Sequence, residues 1–565
     1  MTTIHPREMP SRAVSALTAT GVSPLLARLF AARGVHSSAE LDLSFKALLP
    51  PDTLTGAREA AEVLADAIEA GARMVIVGDY DCDGATACAV GVRALRAFGA
   101  DVHYLVPDRV HLGYGLTPSM VELAARFDPE VLITVDNGIA SIEGIAEARA
   151  RGMSTIITDH HLPGETLPDA DVIVNPNQPG CSFPGKSLAG VGVMFYVMLA
   201  LRAELRMRGA LEGQREPNLA NLLDLVALGT VADVVKLDHN NRILVSQGLQ
   251  RIRGGNIQPG VRALFAVAGR DAAQATAFDL GFALGPRLNA AGRIADMSLG
   301  IECLLADDAG QALKLARELD RLNHERREIE VEMQEAARRI LEAFDADDDR
   351  YAGLTLFESD WHPGVIGLVA SRVREKLHRP TIAFARGQDG ELKGSGRSIP
   401  GLHLRDALEL VARRDSGLVL RFGGHAMAAG LTIHEEKLPA FRDAFREVAA
   451  SLLDPADLQR RIDTDGPLEA AEISLETARL LDREVWGQGF PPPVFDNVFH
   501  VERQRILKER HLKLELSLGG TRLEAVRFNC TEHVPDIIHA AYRLSINEYK
   551  GLSSVQLMLE HFGDA

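Results

Sequence analysis

Three carboxylates stand at alternate positions directly after a short apolar run, and no other feature restricts the fold of this chain as strongly. The run is residues 74–78, and Asp79, Asp81 and Asp83 follow it. An uninterrupted apolar run of this length is typical of a buried parallel strand. Like charges this close repel one another, so a fold keeps them together only where solvent or a positive partner neutralises them. A divalent cation is the natural candidate.

Two other interpretations of this segment have to be weighed. The spacing Asp-x-Asp-x-Asp-Gly also opens the calcium-binding loop of an EF-hand, but Val90 stands at the twelfth position counted from Asp79, where that loop requires Glu. A solvated acidic turn is the ordinary explanation of a short run of charge. The segment alone does not decide between such a turn and a metal site.

Two further apolar runs end in similar residues. Residues 131–135 lead into Asp136, and residues 155–158 lead into residues 159–161, which read Asp-His-His. In an open α/β sheet, ligands bind outside the carboxyl ends of the strands. Three strands that each end in Asp are therefore expected to meet at one sheet edge, and this convergence favours a metal site over a solvated turn.

The rest of the chain divides into regions of different pattern. Apolar strands alternate with amphipathic helices from about residue 71 to residue 175, which predicts an α/β fold with a mainly parallel, doubly wound sheet. Beyond residue 454, short alternating strands, a helix near Pro535 and a final strand predict a small β-barrel of the OB type. The predicted regions are an N-terminal extension (1–50), a catalytic domain (51–309), a long connecting helix (310–344), a second α/β domain (345–453) and an OB-like barrel (454–565).

Composition limits the partners and the compartment. A net charge of −17 argues against a surface that binds polyanions everywhere, so nucleic acid would need a local basic channel. Arg and Lys crowd the predicted barrel beyond residue 500 and could line such a channel. The five cysteines lack metal-binding or disulfide spacing, and no apolar run approaches the roughly 20 residues of a membrane span. We expect a reducing, cytoplasmic location without membrane association.

Several other segments are candidates for binding an anionic ligand, although each could also have an ordinary structural role. Arg109 and Tyr114 follow a predicted strand at the same sheet edge, where a cation and a stacking surface would be useful. Asp233 stands alone among apolar neighbours, so it either completes the acidic cluster or caps a helix. Three glycine-rich motifs, which could also be tight turns, combine close backbone approach with Ser, Arg and His donors. These motifs are residues 361–372, 394–398 and 423–430.

In this order along the chain, the motifs resemble the DHH phosphoesterase superfamily. The resemblance rests on residues 79–84, 136–138, 159–161 and Asp233. The three glycine-rich motifs resemble the DHH-associated domain. Arg109, the motif at residues 285–293 and the OB-like region narrow the resemblance to the bacterial branch of single-strand-specific 5′ exonucleases, over about residues 50–565. One departure concerns Val77, because some relatives that cut small phosphate compounds have His there; Asp79 looks like its replacement.

The resemblance implies a catalytic site with two metal ions. The implied metal ligands are Asp79, Asp81, Asp83, Asp136, His160 and Asp233. Asp136 would bridge the ions, with Asp79 and Asp81 nearer one ion and the other three ligands nearer the second. The implied catalytic residues are Asp81, Asp83, Asp136, His160, His161 and Asp233, of which His161 would contact the phosphate, and Asp159 would orient its neighbours. Mixed carboxylate and imidazole ligands favour Mn²⁺, with Mg²⁺ as the alternative.

The resemblance also implies a substrate and the groups that hold it. The implied substrate-binding residues are Arg109, Tyr114, Arg287, Asn289, Ser371, Arg372, Arg397 and His425. Five of them would recognise the terminal phosphate of single-stranded DNA in a cleft between the two α/β domains: Arg109, Ser371, Arg372, Arg397 and His425. The barrel would hold the strand beyond.

The implied activity is 5′-to-3′ degradation of single-stranded DNA to 5′-mononucleotides in DNA repair and recombination. The protein would be a monomer that works with single-strand-binding protein and a RecQ-type helicase. Two alternatives stay open. One is a DHH phosphodiesterase for short oligonucleotides or cyclic dinucleotides, a class that typically lacks the barrel. The other is a scaffold without catalysis.

Overall fold

A computed structural model describes residues 2–107, 115–212, 216–342, 352–387, 390–414, 417–424, 426–549 and 551–564. The chain forms two compact units. The larger unit contains residues 6–323 and 464–565, and the smaller unit contains residues 1–5 and 324–463. The larger unit therefore combines the predicted catalytic domain with the barrel.

The N-terminal region is mainly helical. Its elements are β1 (Thr3–Pro6), α1 (Ser11–Ala19), α2 (Pro24–Ala31) and α3 (Ala57–Ala70). The helices α1 and α2 bury Leu17, Leu29 and Phe30 in the core of the larger unit. The helices of this region are thus integrated into the larger unit through their apolar side chains.

A parallel sheet of five strands forms the centre of the larger unit. Its strands are β2 (Arg73–Gly78), β3 (Asp101–Leu105), β4 (Val131–Val135), β5 (Ser154–Thr158) and β6 (Val172–Val174), and α4 (Cys82–Ala97), α5 (Pro118–Ala124) and α6 (Ile142–Ala150) lie between them in the chain. The strand order is β3-β2-β4-β5-β6, and every pair is parallel. The predicted doubly wound α/β fold is confirmed. The chain reverses its direction across the sheet between β2 and β4, which is where such sheets bind ligands.

Helices follow the sheet. They are α7 (Gly190–Met207), α8 (Leu223–Ala232), α9 (His239–Arg253), α10 (Pro259–Val267), α11 (Ala277–Asp279), a π-helical turn (Leu280–Leu284), α12 (Gly285–Ile294), α13 (Ser298–Leu305) and α14 (Ala309–Glu342). The first nine residues of α7 are buried, as their small and apolar side chains predict. α14 is the predicted connecting helix. Its 34 residues give a length of about 50 Å, and it runs from the larger unit into the smaller one.

The smaller unit is an α/β domain built on a five-stranded sheet of order β10-β11-β9-β8-β7. Its elements are β7 (Leu354–Phe357), α15 (Ile366–Leu377), β8 (Thr381–Arg386), β9 (Glu391–Arg397), α16 (Leu404–Arg414), β10 (Arg421–Gly424), β11 (Ala428–His434), α17 (Leu438–Leu452) and β12 (Arg461–Thr464). The motif at residues 394–398 lies mainly in β9, so a tight turn there is excluded. A Cβ at Gly394 would lie 2.6 Å from the side chains of Phe384 and Leu431. Glycine at this position therefore allows the side chains of Phe384 and Leu431 to pack directly against the backbone of β9.

The C-terminal region is a closed five-stranded barrel of order β13-β14-β15-β17-β16. Its elements are α18 (Leu475–Arg483), β13 (Phe495–Leu507), β14 (His511–Leu518), β15 (Thr521–Arg527), β16 (Ile537–Tyr549) and β17 (Leu552–Asp564). The predicted OB-like barrel is confirmed, but the helix predicted near Pro535 is wrong. Soon after this proline the chain enters β16, where Ile538, Ala540 and Tyr542 point into the core with no exposure; a register shift between Ala541 and Tyr542 interrupts the alternation, and Ala541 is buried as well. This two-residue period is that of a strand with one buried face.

Two further findings concern the predicted compartment. Within the described ranges, no helix combines the length and apolar character needed to cross a bilayer. All five cysteines lie in those ranges, and none of them forms a disulfide.

Candidate metal centre

The carboxyl ends of three adjacent strands bring acidic residues to one edge of the central sheet. Gly78, Val135 and Thr158, the last residues of β2, β4 and β5, are paired in register. The next residues of these strands are Asp79, Asp136 and Asp159. Each of the three carboxylates is buried, with no more than 4% of the residue exposed. The edge therefore concentrates acidic groups in a place that bulk water scarcely reaches.

Seven side chains place ligand atoms close enough together to hold metal ions. They form three overlapping groups, and within each group the ligand atoms lie within 4.8 Å of one another. The groups are Asp79, Asp81 and Asp136; Asp83, His160 and Asp233; and Asp136, His160 and His161. His160 is central, because its Nε2 lies 3.1 Å from Asp136 Oδ1, 3.6 Å from Asp233 Oδ2 and 3.9 Å from Asp83 Oδ2.

The start of α4 fixes Asp81 and Asp83. Asp81 is the N-cap of this helix, and its Oδ1 accepts a hydrogen bond of 3.0 Å from the backbone N–H of Gly84. Asp83 lies in the first turn and is fully buried. Its two oxygens accept hydrogen bonds from the backbone N–H groups of Gly190 (2.6 Å) and Val191 (2.9 Å). These donors begin α7, where unsatisfied N–H groups and the helix dipole favour an anion.

Gly190 also makes room for Asp136. A Cβ at position 190 would lie 2.6 Å from both the Cβ and the Oδ1 of Asp136, a separation that real atoms do not tolerate. Asp136 itself has a φ of 61°, in the left-handed region that non-glycine residues rarely adopt. Strained backbone of this kind is concentrated at functional sites. The sequence did not reveal Gly190 and Val191 as part of the site, because no motif relates them to the acidic segment.

Asp159 orients the two histidines. Its Oδ1 accepts hydrogen bonds from the backbone N–H groups of His160 (2.7 Å) and His161 (3.1 Å), and it lies 2.7 Å from Nδ1 of His161. Its Oδ2 accepts one from the N–H of Ile139 at 2.9 Å. Burial of the His161 ring opposes its protonation, but Asp159 raises the pKa of His161 to about 9. The imidazolium in turn lowers the pKa of Asp159 against the effect of burial. This arrangement makes His161 a cation at the edge of an acidic cluster.

Asp83, Asp136 and Asp233 require a positive partner to ionise. Burial, reinforced by the charge of Asp81, raises the pKa of Asp83 to about 7. Burial and the surrounding carboxylates also raise the pKa values of Asp136 and Asp233 well above their ordinary range. A divalent cation would remove this penalty, since it supplies the missing charge at the point where the oxygens converge. The donor set therefore fits a metal, and its mixture of carboxylate oxygen and imidazole nitrogen suits Mn²⁺ or Mg²⁺.

The structure places five of the eight predicted substrate-binding residues, while Arg109, Tyr114 and His425 lie outside the described residues. In the larger unit, Arg287 is buried and forms an ion pair of 2.8 Å with Asp320 on α14. The Oδ1 of Asn289 accepts a hydrogen bond of 2.7 Å from the N–H of Cys82, so it supports the start of α4.

The other three of these residues lie in the smaller unit. Ser371 is half-buried on α15. Arg372, on the same helix, contacts Glu330 at 3.1 Å and Glu375 at 3.2 Å. Arg397 donates to the Oγ of Ser395 and to the backbone oxygen of Gly396.

Comparison with known proteins gives matches along most of the chain. Residues 73–230 match the DHH family N-terminal domain, residues 348–451 match the DHHA1 domain, and residues 464–561 match the RecJ OB domain. The chain is 51% identical over 549 residues to the single-stranded-DNA-specific exonuclease RecJ of Salmonella typhimurium, and the match covers 95% of each chain. The RecJ of Escherichia coli is also 51% identical, over 550 residues, again with 95% of each chain covered.

Solved structures agree with the sequence matches. The crystal structure of Thermus thermophilus RecJ in complex with Mn²⁺ is 31% identical and superposes with a TM-score of 0.84. This match covers 100% of the present chain and 80% of the Thermus chain. The Mg²⁺ complex from the same organism is 30% identical, with a TM-score of 0.78 and coverage of 100% and 79%.

Proposed function

The chain belongs to the RecJ family of metal-dependent DHH exonucleases, and from this membership and the geometry of the acidic cluster we propose that it degrades single-stranded DNA from the 5′ end to 5′-mononucleotides. The observation that carries the proposal is the convergence of five aspartates and two histidines at one sheet edge. It is supported by a closed OB-like barrel in the same compact unit. OB folds hold single strands in a basic groove.

We propose that two ions occupy this centre. Asp79, Asp81 and Asp136 would hold one ion, and Asp83, His160 and Asp233 would hold the other, with Asp136 shared between them. Two divalent ions supply activation of water, neutralisation of the scissile phosphate and stabilisation of the leaving oxygen in an in-line displacement. The ligand groups identified above support this partition.

The chain's own groups have distinct tasks in this reaction. Gly190 and Val191 hold Asp83 in its ligand position through two backbone hydrogen bonds. Asp159 keeps His161 protonated, so that His161 can donate a hydrogen bond from its cationic ring to a phosphate oxygen. No side chain has to act as the nucleophile, because water is the attacking group.

The same eight residues are proposed to hold the DNA: Arg109, Tyr114, Arg287, Asn289, Ser371, Arg372, Arg397 and His425. Arginine suits this purpose because its planar guanidinium pairs with two phosphate oxygens at once. The barrel would bind the strand farther from its end. Its side chains Arg503, Arg505, Lys508, Arg510 and Arg522 are exposed, so an acidic protein still offers a local basic surface. Binding through this surface should weaken steeply with salt.

The cellular setting is proposed from the family resemblance. The protein would act as a cytoplasmic monomer in DNA repair and recombination. Single-strand-binding protein and a RecQ-type helicase would be its partners, since a helicase can supply the single strand that the nuclease consumes.

A digestion with the label at either end tests the proposal. The protein is incubated with Mn²⁺ and a long single strand labelled at its 5′ or 3′ end, in parallel with the same sequence as blunt duplex. We expect mononucleotides to be released first from the 5′ label, and only from the single strand. Preferential hydrolysis of a dinucleotide while the long strand stays intact would instead support the small-substrate phosphodiesterase.

Two isosteric substitutions link this activity to the cluster. Asp136→Asn removes the proposed bridging charge and should abolish hydrolysis. Asp128→Asn is the matched control, because Asp128 also has a positive φ, of 50°, but its side chain is 99% exposed. Equal activity of the two variants would contradict the proposed role of Asp136.

A further inference from the structure

A buried asparagine joins two of the strands that carry the acidic cluster. Asn137 directly follows Asp136 and has no exposed surface. Its side-chain amide donates hydrogen bonds to two backbone oxygens, that of Val77 on β2 at 3.1 Å and that of Val135 on β4 at 2.9 Å. The paired residues Gly78 and Val135 end these two strands. Asn137 therefore ties the strands together at the point where their pairing stops.

The same amide closes a turn around Asp136. Its bond to the oxygen of Val135 spans this residue, whose φ of 61° lies in the left-handed region. The backbone N–H of Asp136 donates to Thr158 of β5 at 3.0 Å, so a third strand holds the same residue. Such a conformation persists only where the surrounding contacts over-determine it. The amide of Asn137 is one of these contacts, and it thereby helps to set the separation of Asp136 from Asp79.

A second buried asparagine makes the same kind of link among the remaining ligands. Asn241, on α9, has no exposed surface, and its amide donates to the backbone oxygens of Ser187 at 2.6 Å and Lys236 at 2.9 Å. Ser187 lies in the segment that leads into α7, and Lys236 follows Asp233 by three positions. The start of α7 holds Asp83 through two backbone N–H groups. Asn241 therefore links the segments that position Asp83 and Asp233.

A neutral amide suits this task because it carries two donors and no charge. Lysine or arginine could also donate to the backbone oxygens, but a positive charge there would oppose a cation bound nearby. A carboxylate would face the backbone oxygens with a further acceptor. Within the described part of the chain, the Oδ1 atoms of Asn137 and Asn241 have no hydrogen-bond partner, so their NH2 groups alone make the two links.

We propose that Asn137 and Asn241 are positioning residues of the metal centre and that each serves a different ion. This inference rests on the two-ion partition proposed above. Asn137 would set the spacing of Asp79 and Asp136, and so control the affinity for the ion that they share. Asn241 would do the same for the ligands of the second ion. Both act through the backbone and are not ligands themselves.

Titration of the metal-free, full-length protein with Mn²⁺ in a calorimeter tests this assignment. We expect two binding steps in the parent. Asp81→Asn and Asp233→Asn identify the steps, because each removes a proposed ligand from one ion only. Asn137→Ala should lower the affinity of the step marked by Asp81→Asn at least about tenfold, with a smaller effect on the other step. Asn241→Ala should affect the two steps in the reverse order.

Loss of buried hydrogen bonds also lowers stability, so a matched control separates the two effects. Asn497, on β13 of the barrel, likewise donates from its amide to a backbone oxygen, that of Leu468, at 3.1 Å. Asn497→Ala should lower stability in urea unfolding without metal and leave both Mn²⁺ steps unchanged. Asn137→Thr and Asn241→Thr keep more side-chain volume than alanine, but a hydroxyl has one hydrogen to donate and cannot link two oxygens. The threonine variants should therefore show the same pattern of Mn²⁺ affinities as the alanine variants.

Three results would overturn the assignment of the two asparagines. The first is an equal change of both steps in both asparagine variants, and the second is unchanged affinity in the folded threonine variants. The third is an effect of Asn497→Ala on Mn²⁺ binding as large as that of Asn137→Ala. A single Mn²⁺ step in the parent would overturn the two-ion centre together with this assignment, so the two failures give different titrations.

Discussion

Replacing Asp159 with Asn tests whether this buried carboxylate keeps His161 charged. Asn has nearly the same size, and its side-chain oxygen can still accept the backbone hydrogen bonds of His160 and His161, so the loop at residues 159–161 should keep its shape even though the bond from the N–H of Ile139 is lost. The substitution removes the negative charge that lies 2.7 Å from Nδ1 of His161. We therefore expect the pKa of His161 to fall.

The expected size of the effect follows from the two pKa values. Although burial of the ring opposes it, Asp159, assisted by the charges of Asp79 and Asp81, raises the pKa of His161 from its ordinary 6.5 to about 9. The difference corresponds to about 3 kcal/mol, which is an upper limit because the ring is 31% exposed and solvent screens the pair. A pKa raised by folding means that the folded protein binds the proton more tightly. This stabilisation is fully present below pH 6.5, and it is lost as the pH rises through about 9.

Nuclear magnetic resonance of protein labelled with ¹³C-histidine in excess EDTA measures the pKa directly, and His161→Gln identifies the resonance among the 18 histidines. We expect a midpoint near 9 in the parent and one below about 7 in Asp159→Asn. In urea unfolding, the parent should lose up to about 3 kcal/mol more stability than the variant between about pH 6 and pH 10. Coincident midpoints would refute the reasoning.

Other perturbations probe the metal centre and the packing of the larger unit. Gly190→Ala places a Cβ 2.6 Å from Asp136, so we expect Mn²⁺ affinity to fall at least about tenfold in calorimetry; unchanged affinity would show that the contact is irrelevant. Because burial raises the pKa of Asp83 to about 7, protons compete with the metal below that value. Mn²⁺ affinity should therefore rise between about pH 6 and pH 8, and a flat profile would contradict this. Arg33 forms hydrogen bonds of 2.8 and 2.9 Å to buried Asp465, so Arg33→Ala should cost about 3–5 kcal/mol in urea unfolding, whereas a loss below about 1 kcal/mol would exclude a strong pair.

The part of the site that could be predicted is encoded by residues that are neighbours in the sequence. An apolar run that ends in Asp identifies a strand and its ligand together, and parallel strands bring such ends to one edge. This reasoning placed Asp79, Asp136 and Asp159 correctly. It could not find Gly190, which is separated from its partner Asp83 by 107 positions along the chain. No local pattern encodes that contact, because it is set by the packing of α7 against α4.

The predictions about the fold that were wrong or missing also concern contacts between residues far apart in the chain. The pattern beyond residue 454 suggests a helix near Pro535, yet pairing of β16 with both β13 and β17 makes this segment a strand. The sequence also gave no indication that the barrel shares its apolar core with the catalytic domain through residues such as Phe495 and Phe499. Both features depend on tertiary contacts, which override local propensity.

Anomalous diffraction at the manganese edge, from crystals of the protein grown with Mn²⁺, tests the central claim most directly. We predict two manganese peaks in the acidic cluster, one beside Asp79 and Asp81, the other beside Asp83, His160 and Asp233, with Asp136 contacting both. A single peak, or peaks that lie away from Asp136, would contradict the proposed two-ion centre.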